Sequence, residues 1–172
     1  MPRTLHRTDQ RTVRRVEAEP KKSSSMKGAL VRGAISGAVA TAAMSGVMVA
    51  GQRAGMLPEQ PPKRIVRALL PGHRHRRKQG EGVMGALAHV GFGTVSGSVY
   101  GLVTRGRRVP VPVGVAYGLA LWIAGYAGWV PGLGVLPPIP RDRPGRQWVM
   151  AAGHVVYGTA LACVMNRLAR RR

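Results

Sequence analysis

The sequence predicts an all-α membrane protein: four transmembrane helices forming two similar helical hairpins. Three observations lead there. The segments 33–52, 82–104, 109–140 and 147–166 contain no Asp, Glu, Lys or Arg, although the chain has 27 Lys+Arg against 6 Asp+Glu and a formal charge of +21. Charge and apolarity are therefore separated into blocks, whereas a disordered or collagen-like chain would mix them. Each block has room for the roughly 20 helical residues that cross a hydrocarbon core of about 30 Å. Finally, short motifs recur in the same order in the two halves.

Residues 1–27 are polar and basic, and the apolar stretch after them is too long for the roughly 7–15-residue core of a signal peptide. A retained, disordered cytoplasmic arm is expected. The spans follow near 28–50, 82–104, 112–132 and 148–168, and residues 169–172 form a basic tail. The 24 glycines would weaken helices in water but are common in membrane helices. Arg32, one turn into the first span, is expected to snorkel to the headgroups.

In the first loop, Ile65, Val66, Leu69 and Leu70 fall on one helical face, with Lys63, Arg64 and Arg67 largely opposite. This predicts a short basic amphipathic helix in the interface. The following run His73-Arg74-His75-Arg76-Arg77-Lys78 reads as solvated charge, because the adjacent cations would repel a metal ion. Prolines 131, 137, 138, 140 and 144 predict a stiff extended cap over 133–147. Trp129 and Trp148 flank it as interface anchors. Trp122 and Tyr126 cluster nearby, with a stacking platform for a ligand as the alternative reading.

Orientation follows from the basic residues. With four spans, the tails and the 105–110 turn share one side, and Arg32 aside they hold fifteen Lys/Arg against eleven in the other two loops. Both termini are expected inside, on the cytoplasmic face of a bacterial plasma membrane.

The second and fourth spans carry near-copies of one hexapeptide, His89-Val90-Gly91-Phe92-Gly93-Thr94 and His154-Val155-Val156-Tyr157-Gly158-Thr159. The loops after the first and third begin alike, Gly55-Met56-Leu57-Pro58 and Gly134-Val135-Leu136-Pro137. Two spans per copy imply an axis along the membrane normal. The proline loop (Pro58, Pro61, Pro62), the His-x-x-aromatic helix and the run from Gly134-Val135-Leu136-Pro137-Pro138 to Gly153-His154-Val155 resemble the YagU-like family of small, largely uncharacterised bacterial inner-membrane proteins. That resemblance covers roughly residues 30–168 and implies a membrane location and this helix order. It implies no catalytic residue.

Gly85, His89, Gly93, Gly97 and Gly101 stand four apart and share one helix face. Gly33, Gly37, Thr41 and Ser45 repeat the pattern in the first span, Gly114 and Gly118 in the third, and His154, Gly158 and Ala162 in the fourth. In lipid, close backbone approach over small residues drives much of helix association. Gly33, Gly37, Gly93, Gly97, Gly101, Gly114, Gly118 and Gly158 are therefore the expected packing residues, within one chain or against a second copy or another membrane protein.

Catalytic chemistry is not expected. The six carboxylates (Asp9, Glu17, Glu19, Glu59, Glu81, Asp142) lie in tails, loops or at a helix edge, leaving no acid pair and no partner for a catalytic histidine. No nucleotide, metal or nucleophile motif is present. The single cysteine, Cys163, excludes a disulfide framework and reads as a packed thiol. No cofactor is expected. Anionic headgroups are the natural partner of the basic loops, at about 1 kcal/mol per residue; specific nucleic-acid binding is not expected, since no recognition module accompanies the charge. The expected function is a non-catalytic accessory or packing component of the membrane. The alternative centres on His89 and His154, which at 1.5 Å per residue both lie roughly 10 Å below the same face. Their rings are expected to face the bundle interior, as interhelical glue or as a proton-handling or haem-binding pair.

Overall fold

The computed structural model describes residues 26–170 apart from 72, 74, 75, 133, 136 and 138. Five helices account for most of them: α1 (Met26–Arg53), α2 (Pro61–Leu69), α3 (Glu81–Val103), α4 (Val111–Gly132) and α5 (Pro144–Arg170). All but α2 are long and apolar enough to cross a membrane, so the expected all-α, four-span class holds. The basic arm, apart from its last two residues in α1, lies outside the described residues, as do Arg74, His75, Arg171 and Arg172.

In space the helices form an arc in the order α3, α1, α5, α4. Neighbours are antiparallel. Gly33 and Gly37 of α1 meet Gly97 and Gly93 of α3, and Gly101 meets the Ala29 carbonyl. Gly114 and Gly118 of α4 meet Gly158 and the His154 carbonyl of α5. All eight expected packing glycines therefore stand at helix crossings within this chain. A Cβ on Gly97 would fall 2.6 Å from the Gly37 Cα, closer than carbon atoms approach. The α1–α5 contact uses larger side chains: Met44 packs on Gly153 and Val149 on Gly51. Hydroxyls inside the spans bond back to the carbonyl four residues earlier, as in Ser36 to Arg32 at 2.7 Å and Thr41 to Gly37 at 2.8 Å, which keeps these donors satisfied in a medium without water.

The two motif copies end their helices alike. Gly55 and Gly134 adopt left-handed φ of 73° and 67°. In each case the next amide reaches a carbonyl five residues back, Met56 to Gly51 at 3.0 Å and Val135 to Val130 at 3.4 Å. That is the Schellman arrangement, which satisfies orphan carbonyls at a helix end.

Several expectations need correction. Arg32 does not snorkel: it is 8% exposed and lies within the bundle. The 133–147 segment is not extended throughout, since residues Ile139–Arg141 make a 3-10 turn and α5 begins at Pro144, where a proline at the first helical position sacrifices no hydrogen bond. The third span is not a uniform helix. Residues Ala124–Trp129 are π-helical, the Val130 amide bonds the Gly125 carbonyl, and Gly128 leaves helical geometry (φ −102°, ψ −107°). Pro131 explains the break, because it has no N–H for the Ala127 carbonyl and its ring crowds that turn.

Helix α2 forms where expected but does not turn all its basic residues outward. Arg67 is buried, bonding Glu81 through Nε at 2.7 Å and Glu59 through Nη1 at 3.2 Å, with further close contacts from Nη2 to both. These bonds, Glu81 first, raise its guanidinium pKa above the usual value. Leu69, assigned to the apolar face, is 68% exposed. Lys78 is not a freely solvated charge, since its Nζ caps α2 at the Arg67 and Leu70 carbonyls, at 2.9 and 2.5 Å. Asp142 is buried, accepting from the Tyr126 hydroxyl and, at 2.6 Å, from Arg146.

Candidate functional site: a side-open cleft with two imidazoles

The helices α3 and α4 are joined by a tight turn at one end of the bundle and are pinned together in that half. The Tyr117 hydroxyl donates to the Ser96 carbonyl at 2.8 Å, and the Tyr100 and Tyr117 rings lie 5.1 Å apart. Apart from these contacts the two helices do not pack extensively against each other. The space between them is a cavity of about 280 Å³. Its floor is Thr41, Gly93 and Tyr157, with the Tyr157 hydroxyl bonding the Gly93 carbonyl at 2.9 Å. Its roof is α2, through Pro61, Pro62 and Ile65. Met44, Met48 and Met150 line the back, and α4 contributes Trp122 and, from its π-helical turn, Tyr126 and Trp129. Ala88 and Phe92 of α3 and Trp129 of α4 are exposed at the rim. The cleft therefore opens sideways, at a level that the span lengths put inside the bilayer.

His89 and His154 both line this cavity. His89 Nδ1 lies 3.4 Å from Ser45 Oγ, whose own hydrogen goes to the Thr41 carbonyl at 2.8 Å. His154 Nδ1 lies 2.8 Å from the Met150 carbonyl. The Met150 carbonyl only accepts, so in a neutral His154 ring Nδ1 is the donor; with the Ser45 hydrogen on the Thr41 carbonyl, as its 2.8 Å contact favours, His89 Nδ1 donates as well. Each Nε2 then holds a lone pair, and neither forms another hydrogen bond among the described residues. The indole N–H of Trp122, in the same wall, is buried with no partner among the described residues.

The structure thus brings the histidine pair to one cavity, and Trp122, Tyr126 and Trp129, which the sequence groups near the cap loop, line it too. Trp148 stands apart, 74% exposed on another face. Sequence reasoning did not single out the three methionines, although Met44 and Met48 stand one turn apart, or the roof formed by α2. Above the roof, Arg64 makes no hydrogen bond or close ion pair among the described residues; burial, and then Arg146, lower its pKa. No cluster of three or more His, Cys, Asp or Glu that would hold a metal ion occurs among the described residues.

Residues 27–172 match DUF6789, a family of unknown function. The chain belongs to that family. Comparison with curated proteins and with solved structures returns no match. The DUF6789 match does not bear on the likeness to YagU-like proteins, which rests on the short motifs alone.

Proposed function

We propose that this protein is a non-catalytic, multi-pass component of a bacterial plasma membrane that takes a hydrophobic molecule from the bilayer into the α3–α4 cleft. The observation that carries this reading is the sideways opening of a mostly apolar cavity within the spans. A hydrophobic molecule passing between lipid and such a cleft crosses no water, and the few polar atoms inside fix its orientation. The basic ends of the bundle hold anionic headgroups and keep both termini on the cytoplasmic side.

The test is purification in mild detergent, with an absorption spectrum and mass analysis of an organic extract. The wild type is expected to retain about one molar equivalent of a hydrophobic molecule, and Ala88→Phe, which narrows the opening, to lose it. Identical bulk-lipid extracts from the two proteins would contradict the proposal. One observation favours a second reading, a haem held by the histidine pair: His154 donates Nδ1–H to a backbone carbonyl, and His89 Nδ1 lies beside Ser45, as in metal-ligating imidazoles held through their other ring nitrogen. A Soret band in the same spectrum would establish that reading.

A further inference from the structure

We infer that the cleft binds the reduced, quinol form of a tailed quinone, its two ring hydroxyls donating to Nε2 of His89 and of His154. The inference rests on the cleft reading above and assigns the chemical class of the molecule held there.

Four observations converge. The first is hydrogen-bond polarity. His154 Nδ1 donates to the Met150 carbonyl, and with the Ser45 hydrogen on the Thr41 carbonyl His89 Nδ1 donates to Ser45; in that arrangement the two imidazoles present two acceptors and no donor. Saturated acyl chains offer nothing to such a pair, and a carbonyl compound offers the imidazoles only further acceptors, leaving the Trp122 N–H as a candidate donor to it among the described lining residues. A molecule carrying two hydroxyls satisfies both nitrogens. Second, the pair sits on α3 and α5, on different walls of one cavity, so the donors must lie on separate edges of the bound head, as they do on a quinol ring. Third, the walls suit a flat polarisable ring. Phe92 and Trp122 offer aromatic surfaces, and Met44, Met48 and Met150 offer thioethers, which adapt to ring faces and edges. Fourth, the opening between α3 and α4 faces the bilayer, where an isoprenoid or alkyl tail remains in hydrocarbon while the head is held. No electron transfer is invoked: the ring binds and leaves in the same redox state.

Hydrogen-bond polarity also separates the two redox states. The oxidised quinone has carbonyls where the quinol has hydroxyls, so at the two imidazoles it meets lone pair with lone pair unless both histidines give up their present partners. Two hydrogen bonds, each of modest net strength, correspond to on the order of tenfold in affinity.

The experiment is anaerobic titration calorimetry of the full chain in mild detergent, with a decyl-tailed benzoquinol and the matching quinone as probes. The quinol is expected to bind on the order of tenfold more tightly. His89→Leu and His154→Leu should each reduce that ratio, whereas His154→Gln, whose amide oxygen still accepts, should keep most of it. Equal binding of the two forms, or a preference for the quinone, overturns the inference, as does a ratio unchanged in both leucine variants. Folding of each variant is checked by its helical circular dichroism and elution volume. Ala88→Phe distinguishes failure of the quinol assignment from failure of the cleft reading. If neither probe binds but the wild type still retains a molecule that Ala88→Phe loses, the quinol assignment fails and the cleft reading stands. If Ala88→Phe binds the quinol as well as the wild type does, both fail.

Discussion

At Gly97 the α1–α3 crossing leaves no space for a side chain, because the nearest atoms are backbone of Gly33 and Gly37 and cannot swing aside. Gly46, on the neighbouring small-residue row of α1 (Ala34, Ala38, Ala42, Gly46), has nothing within 4 Å of the place a Cβ would take. The two glycines therefore have opposite consequences. Gly97→Ala is expected to destabilise the bundle by about 1–3 kcal/mol, the usual cost of overpacking. Gly46→Ala should be neutral or gain up to about 1 kcal/mol through helix propensity. Denaturant unfolding in detergent measures both. Tyr157→Phe removes only the bond to the Gly93 carbonyl, so a loss of about 0.6 kcal/mol is expected, typical of interhelical hydrogen bonds in membranes. The spacing by four made Gly97 visible in the sequence, but it did not distinguish Gly97 from Gly46, which stands in a similar stripe. The difference depends on which helix passes in front, and that is tertiary information. Likewise the shared interior placement of His89 and His154 was legible, while the Nδ1 partners that set their polarity were not.

Helix α2 shows the same division between local pattern and long-range pairing. Its amphipathic character followed from residues 61–71 alone. The inward turn of Arg67 did not, because one of its two carboxylate partners, Glu81, lies fourteen residues away across a loop. Periodicity alone assigns every arginine to the wet face unless its counter-charge is nearby in sequence. The clamp fastens the roof of the cleft to the start of α3. Arg67→Gln should leave Glu59 and Glu81 facing each other with no cation between them and loosen α2. Hydrogen exchange of the 64–69 amides is expected to accelerate on the order of tenfold, with α4 and α5 unchanged; unchanged exchange in α2 would show that the apolar contacts of Ile65 and Val66 suffice. In α4, Pro131 announced a break, but the π-helical turn that shapes the cavity wall could not be read from one proline, since such a break can also end a helix or bend it simply.

For the molecule as a whole, charge and shape point the same way. The end carrying the α3–α4 turn bears Lys27, Arg105, Arg107, Arg108, Arg167 and Arg170, with no acidic residue among the described residues there. The opposite end mixes its cations with Glu59, Glu81 and Asp142, two of these acids being buried. A reporter fused after Arg172 is accordingly expected to be active only in the cytoplasm, and activity solely on the outside would invert the topology. Side chains bridge α3 and α4 near the turn, and a cavity lies between the two helices towards α2. Pulsed electron–electron distance measurements in lipid nanodiscs test this arrangement most directly, using spin labels on cysteine pairs in a Cys163→Ala background. One pair replaces Val99 and Val113 near the turn; the other replaces Leu87 and Ile123 beside the cleft, and all four positions are exposed. The cleft pair is expected to be clearly farther apart than the turn pair, each with a single dominant distance. Equal separations at both ends would mean that the helices run closed along their length, and that there is no cleft for a molecule to enter.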